Sequence, residues 1–155
     1  METNRLSVKE IRALVPKDKH DTSGIAQLLR LTDEEIAPIL PALLEWIQDI
    51  NWPVAKALLP VLAKHERQTA PLAARLLQPE QTDEDWKYFL LTDLLPLFSG
   101  QALSIVLPAV QRIAAAPTQG ERAVEVDAVA SDLLARLPRG TAGSAGEKCD
   151  PLREG

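Results

Sequence analysis

Apolar residues recur along the chain at the three- and four-residue spacing that aligns side chains on one face of an α-helix. The spacing is clearest in residues 90–95 and 126–137. No sustained alternation of apolar and polar residues, typical of a half-buried strand, is present. The sequence therefore predicts an all-α protein. Its helices are predicted at 7–14, 22–30, 33–49 with a break near Pro38, 52–65, 69–78, 83–98, 102–116 and 119–137.

Four short motifs predict where helices begin. In the pattern Ser/Thr-x-x-Glu, the hydroxyl and the carboxylate bind backbone N–H groups that a helix N-terminus leaves unpaired. The pattern occurs at Ser7/Glu10, Thr32/Glu35 and Thr118/Glu121, with a weaker form at Thr82/Asp85. Each motif predicts a helix that starts directly after its hydroxyl residue.

The chain holds twelve prolines, and most of them fall where a helix tolerates one. Proline is accepted in the first helical turn, where its missing N–H would have no partner. Four are predicted in or before first turns: Pro38, Pro41, Pro53 and Pro71. Three others lie within or beside apolar runs, where each is expected to kink or end a helix: Pro60, Pro96 and Pro108. Recurrent kinks favour a curved stack of helices.

A weak internal repeat supports such a stack. The segments 36–65 and 69–99 each carry an entry proline and a leucine-rich helix, followed by a second helix opened by a tryptophan, Trp52 or Trp86. Repeated helical pairs build solenoids. The predicted fold is therefore a short right-handed stack of antiparallel helical pairs, a HEAT-like α-solenoid of seven to eight helices in a single domain over 1–137. Residues 138–155 are rich in Gly, Ser and charged residues and are predicted to form a flexible tail.

Composition excludes several classes of function. The formal net charge is −5 and no basic stripe is present, so nucleic acid is not a predicted partner. No apolar run approaches the ~20 residues of a membrane span. One cysteine and two histidines are too few for a zinc site, and the glycine motifs that bind phosphates are absent, so no metal or cofactor is predicted. We expect a cytoplasmic protein, with the oligomeric state left open.

The densest polar cluster is the run Lys17-Asp18-Lys19-His20-Asp21, between the first two predicted helices. One interpretation is structural: Asp21 or Thr22 caps the next helix and His20 hydrogen-bonds locally. The other is functional, since a histidine oriented by a carboxylate can act as a general base. The structural interpretation is favoured because turns and caps need only these residue types.

A second cluster surrounds the predicted joint between two helices and contains Trp46, Asp49, Asn51, Trp52 and Pro53. Asn51 suits an N-cap, Pro53 suits the first turn, and the two indoles can cover the joint. The alternative is a recognition patch, because aromatic side chains with a few placed polar groups dominate binding surfaces. The structural interpretation is again favoured, since tryptophans at such joints usually pack in the core.

Several segments together resemble the bacterial family named domain of unknown function 5071. They are Leu14–Asp21, Leu40–Pro53, Trp86–Leu90, Pro117-Thr118 and Val126-Asp127, in this order over about 14–137. The resemblance implies a compact helical-repeat fold, assigns no activity, and implies that the family keeps its signature in the Lys17–Asp21 loop and the Asp49–Trp52 joint. The chain after Pro138 departs from the family.

Two functional hypotheses follow. The favoured one is a protein-protein interaction module, whose groove or helix-end loops present side chains to a partner protein. The alternative is an enzyme or small-ligand site in the Lys17–Asp21 loop, in which His20 and either Asp18 or Asp21 meet Asp49 and Trp52. It requires a carboxylate within ~3 Å of the imidazole. The full predicted patch is Lys17, Asp18, His20, Asp21, Trp46, Asp49, Asn51, Trp52 and Trp86.

Overall fold

The computed structural model describes residues 6–137, and within this range all regular secondary structure is helical. The predicted tail 138–155 lies outside the described residues. The α-helices are α1 (Val8–Arg12), α2 (Ile25–Arg30), α3 (Asp33–Ile36), α4 (Leu40–Leu44), α5 (Pro53–Lys64), α6 (Glu66–Leu76), α7 (Glu84–Phe89), α8 (Gly100–Ala115), α9 (Gln119–Ala123) and α10 (Val126–Arg136). Short 3-10 segments cover Ala37–Ile39, Glu45–Gln48 and Leu95–Leu97, and a π-helical segment covers Leu90–Leu94.

Three of the four predicted helix starts are confirmed as full capping boxes. Ser7, Thr32 and Thr118 each accept the N–H of the glutamate three residues later, and that glutamate accepts the N–H of the capping residue. The fourth start is wrong by one residue. Asp83, and not Thr82, accepts the backbone N–H of Trp86 at 3.0 Å. An aspartate caps as well as a threonine, and its charge also interacts favourably with the helix dipole.

Two of the three prolines that were predicted to kink or end a helix do not end one. Pro60 and Pro108 lie inside α5 and α8, which continue past them. Pro71 lies inside α6 and not in its first turn, because α6 begins at Glu66. All three face solvent, where water can bind the carbonyl that loses its partner. Pro96 behaves as predicted, since it lies in the 3-10 segment Leu95–Leu97, after which the chain becomes extended at Phe98.

Two predicted long helices are interrupted. The predicted helix 33–49 breaks at Pro38 as expected, where a 3-10 turn separates α3 from α4. The predicted helix 119–137 divides into α9 and α10 at Glu125, whose φ of 64° lies in the left-handed region. A left-handed residue cannot continue a right-handed helix, so α10 starts a new direction after it.

One continuous apolar core joins these helices. It runs from Ile11 in α1 to Leu133 in α10, and most of its members are fully shielded from solvent. Helix α5 packs on α2 and α4, α6 packs on α8, and α8 packs on α10. Within residues 6–137, no helix is long and apolar enough to cross a bilayer.

Candidate functional site

The Lys17–Asp21 loop is organised by its own carboxylates. Asp21 accepts the N–H of Lys17 at 2.9 Å and both the N–H and the hydroxyl of Ser23. The Ser23 hydroxyl and these backbone groups lower the pKa of Asp21 from 3.8 to about 2. Asp18 accepts the N–H of His20 at 2.8 Å. Neither Asp21 nor Thr22 caps α2, which begins after Gly24 without a side-chain cap.

The loop lies against the start of α5, beside the second predicted cluster. The carbonyl of Lys19 accepts the N–H of Val54 at 3.0 Å, so the Lys17–Asp21 loop and the Asp49–Trp52 joint are neighbours. The carboxylate of Asp49 accepts the backbone N–H of Asn51 at 2.9 Å. The imidazole of His20 is exposed and makes no hydrogen bond within residues 6–137. The structure therefore holds no preformed histidine–carboxylate pair at this place.

The two tryptophans of the joint pack on each other. The rings of Trp46 and Trp52 have centroids 5.6 Å apart and an interplanar angle of 73°, an edge-to-face contact. Both rings are partly buried against the core. Trp52, and not Asn51, is the N-cap residue of α5, with Pro53 in the first turn as predicted. The backbone N–H of Asn51 donates to the carboxylate of Asp49, which places Asn51 in a turn before the helix. The N-cap position therefore falls on the next residue, Trp52.

Trp86, the third tryptophan, forms the wall of a cleft. Its indole N–H donates to the carbonyl of Leu44 at the end of α4, at 3.1 Å. Its backbone N–H is held by the Asp83 cap. The ring is thus fixed between α4 and α7, with its only polar atom already bonded.

The cleft lies between α4, α6 and α7 and has a volume of about 210 Å³. Its lining residues are Pro41, Leu44, Glu45, Leu72, Arg75, Leu76 and Trp86. Leu44 is buried and forms the floor, while Leu72, Leu76 and Trp86 are half-buried and form the walls. Pro41, Glu45 and Arg75 are exposed at the rim. In the described part of the chain, neither Glu45 nor Arg75 forms an ion pair, with each other or with any other residue.

The sequence interpretation predicted Trp86 but missed its partners on α6. A signal was present in that helix. Its buried row consists of Thr69, Ala70 and Ala73. Leu72 and Leu76, four residues apart, form a second apolar row beside it. A helix with two apolar rows has more apolar surface than one core contact requires, which indicates a partly open apolar face.

A cluster of buried charges lies near α7, α8 and α9. The ammonium of Lys87 is 2.6 Å from a carboxylate oxygen of Glu121, and both side chains are fully buried. Arg112 binds both oxygens of the same carboxylate, at 2.5 and 2.9 Å. Burial alone would raise the pKa of Glu121, but the hydrogen bonds from Arg112, from Lys87 and from the N–H of Thr118 lower it from 4.5 to about 2. Solvent does not reach the Lys87–Glu121 pair. The cluster therefore has a structural role, in which it connects α7, α8 and α9.

A second contact joins a buried histidine, His65, to a carboxylate that is 42% exposed, Asp33. Nδ1 of His65 lies 2.6 Å from a carboxylate oxygen of Asp33, and the histidine is 2% exposed. Nε2 of His65 is buried without a hydrogen-bond partner. None of the clefts described for residues 6–137 is lined by His65. The pair therefore links α3 to the α5–α6 junction.

Metal chemistry has no preformed centre in this part of the chain. Within residues 6–137, no group of three His, Cys, Asp or Glu side chains is arranged to hold a metal ion. A larger cleft, of about 520 Å³, is lined by Leu6, Gln27, Arg30, Leu31 and Glu35, but it contains none of the side chains singled out from the sequence.

Comparison with known proteins gives a family and no activity. No curated protein sequence matches the chain. The family model described as domain of unknown function (DUF5071) matches residues 14–134. The matched range contains the Lys17–Asp21 loop, the Asp49–Trp52 joint and every residue that lines the cleft. The chain belongs to the DUF5071 family.

Proposed function

We propose that this protein is a protein-protein interaction module that binds its partner through the cleft between α4, α6 and α7. The single observation that carries the proposal is the position of Trp86, whose ring is fixed by the carbonyl of Leu44 and lines an apolar opening. Binding hot spots are enriched in tryptophan, and a wall that is already ordered pays little entropy when a partner binds.

The size of the cleft favours a side chain as its occupant. Small-molecule sites usually measure roughly 300–1,000 Å³, whereas this cleft measures about 210 Å³. One large apolar side chain fills such a volume, and the residues around it then contact the rim. The size of this cleft therefore favours a protein side chain over a cofactor as its occupant.

The proposal includes the finer architecture and the location expected from the sequence. The helices form a short right-handed HEAT-like stack of antiparallel pairs. The contacts of α6 with α8 and of α8 with α10 support the stack. In such stacks the grooves between successive elements are the usual binding surfaces. The single cysteine, Cys149, supports a reducing cytoplasm as the place where the protein acts, in a bacterium.

Selection of peptides tests the proposal. A phage-displayed library of random short peptides is panned on the immobilised full chain, and the enriched peptides are synthesised and titrated by fluorescence anisotropy. We expect enriched peptides to share an apolar anchor and to lose affinity about tenfold or more in Leu76→Glu and in Pro41→Glu, which alter different walls.

The matched control is Ile105→Glu, the same change from apolar to acidic on α8, at an exposed residue outside the cleft. Circular dichroism and urea unfolding establish that all three variants fold. The proposal is overturned if no peptide is enriched, or if the three variants bind the enriched peptides as the native chain does.

A small-ligand or enzyme site at the Lys17–Asp21 loop is the second candidate. It is favoured by one observation, the hydrogen bond from Val54 to Lys19 that brings this loop beside Asp49 and Trp52. We rank it second because the carboxylates of Asp18, Asp21 and Asp49 already bind nearby backbone N–H groups. If a metabolite raised the melting temperature of the native chain but not that of His20→Ala, the small-ligand site would become the favoured function.

A further inference from the structure

We propose that residues 117–125 form a strap that opens while the rest of the domain stays folded, and that Lys87 and Arg112 form a carboxylate-binding site, which the strap occupies with its own Glu121. When the strap is open, the carboxylate of another molecule binds in place of Glu121. This inference concerns a different surface from the cleft and does not depend on the proposed function. The observation behind it is the way in which α9 is attached to the domain.

Glu121 is the only buried residue of the strap. The apolar core takes no side chain from residues 117–125, and α9 packs chiefly on α10, its neighbour in sequence. The other short helices each place apolar side chains in or against the core: Ile11 in α1, Leu28 in α2, Ile36 in α3, Leu43 in α4 and Phe89 in α7. The strap is therefore held to α7 and α8 by the charge of one residue and not by apolar burial.

Both ends of the strap are places where the helical backbone is interrupted. Ala116, the residue after α8, has a φ of −144° and a ψ of 62°, and Pro117 follows it. Glu125, the residue before α10, has a φ of 64°, in the left-handed region that disfavours residues with a side chain. Since α8 ends before the first point and α10 begins after the second, neither helix has to unfold when the strap moves. Opening also lets Glu125 leave its unfavourable conformation.

The two cations that bind Glu121 are held in place by other groups as well. Nη2 of Arg112 donates to the carbonyl of Leu77 at 2.7 Å, and Nζ of Lys87 lies 3.4 Å from a carboxylate oxygen of Glu84. Neither of these contacts involves the strap, so both cations keep a partner when Glu121 leaves. Groups that are already ordered lose little entropy when they bind a ligand. The side chain of Arg112 is 26% exposed, which gives solutes access to the site.

The present occupant defines the class of ligand. Nη1 and Nη2 of Arg112 lie 2.5 and 2.9 Å from the two oxygens of the Glu121 carboxylate, the fork geometry in which a guanidinium binds a carboxylate. Lys87 donates to one of the same oxygens at 2.6 Å. An aspartate or glutamate side chain of another protein, or a small carboxylate, satisfies the same donors.

Replacement of the lost carboxylate by acetate tests the site. Glu121→Ala removes a methylene group and a carboxylate, which are the groups that acetate supplies. We expect about 0.5 M sodium acetate to raise the melting temperature of this variant by about 2 °C or more above its value in sodium chloride of the same concentration. If Glu121→Ala is unfolded in chloride, the helix content recovered in acetate, measured by circular dichroism, takes the place of the melting temperature.

The matched control is Glu34→Ala, the same change at an exposed glutamate of α3 that contacts neither cation. This variant and the native chain, whose site is occupied by Glu121, measure the general effect of acetate on stability. Both should therefore show a smaller difference between acetate and chloride than Glu121→Ala does.

Native-state hydrogen exchange tests the strap and uses the native chain. We expect the amides of residues 119–123 to exchange through an opening that responds little to low concentrations of urea, because the strap exposes little surface when it opens. The amides of α8 and α10 should exchange faster as urea is added, since their exchange requires a larger unfolding.

Either measurement can overturn the inference. If acetate stabilises Glu121→Ala no more than Glu34→Ala, Lys87 and Arg112 bind no other carboxylate and the inference is wrong. If the amides of residues 119–123 show the urea dependence of α8 and α10, the strap opens only when the whole domain unfolds, and the inference is again wrong.

Discussion

Glu121 and Lys87 form a fully buried ion pair, with 2.6 Å between the carboxylate oxygen and the ammonium nitrogen, across 34 residues of sequence. The same glutamate completes the capping box of α9 with Thr118. Glu121 therefore takes part in a local capping motif and also connects α9 to α7, through Lys87, and to α8, through Arg112. We therefore expect this carboxylate to contribute to the stability of the packing between α7, α8 and α9.

Removing the cation of this pair should destabilise the protein strongly. Breaking a buried ion pair costs about 3–5 kcal/mol because the remaining charge loses its compensation. Arg112 still binds Glu121, so we expect Lys87→Met to lower the free energy of unfolding by about 3 kcal/mol. Lys56→Met, an exposed lysine on α5, is the control and should stay within about 0.5 kcal/mol of the native chain. Urea unfolding measures both, and equal effects would contradict the role assigned to Lys87.

The pKa of Glu121 predicts an acid-sensitive stability. The folded-state pKa of about 2 lies below the ordinary value of 4.5. The stabilisation is therefore complete above the unfolded value and is lost as the pH falls from about 4.5 to about 2, by roughly 3 kcal/mol. Urea unfolding between pH 6 and pH 2 should show this slope in the native chain and a smaller slope in Glu121→Gln.

Asp21 contributes in the same acidic range, since its pKa is also lowered to about 2. Asp21→Asn is therefore the comparison for the previous experiment. Asp21 is not part of the buried cluster. In Asp21→Asn, the free energy of unfolding should therefore still fall with decreasing pH by the amount that Glu121 contributes. A native chain whose stability does not change over this range would contradict the hydrogen bonding described for both carboxylates.

The contact between His65 and Asp33 should contribute to stability beyond the effect of helix charge. Asp33→Ala leaves a buried imidazole nitrogen without its partner, which costs about 1–3 kcal/mol. Glu34→Ala removes an equal charge from the same first turn of α3 and leaves His65 bonded. The two variants share the loss of dipole interaction, so the difference between their unfolding free energies measures the contact. A difference near zero would show that His65 gains nothing from Asp33.

The start of α7 can be located by two neighbouring substitutions. Asp83→Ala removes the side chain that accepts the N–H of Trp86 and should cost about 1 kcal/mol, as the loss of an N-cap does. Thr82→Ala should be nearly neutral, because this residue is exposed and caps nothing. Thermal and urea unfolding distinguish the two cases. If Thr82→Ala lost more stability than Asp83→Ala, Thr82 would be the N-cap residue, as the sequence predicted.

Part of the candidate site could be predicted from the sequence. Trp86 was predicted from its place in the internal repeat, where it corresponds to Trp52, and the contact of Trp46 with Trp52 follows from their spacing across a joint. The other walls of the cleft could not be found in this way. Leu72 and Leu76 meet Trp86 only because α6 passes beside α7 in the folded chain, and no local pattern encodes that distance.

The helical class and three helix starts are determined by the sequence itself, because a capping box needs only residues three positions apart and an amphipathic helix only a local period. Tertiary structure decided which polar residues become buried. Lys87 has the sequence context of a surface residue, and Glu121 that of a simple cap. Their burial as a pair depends on the packing of helices far apart in sequence, where the free energy of solvation opposes the attraction between charges and the outcome depends on geometry.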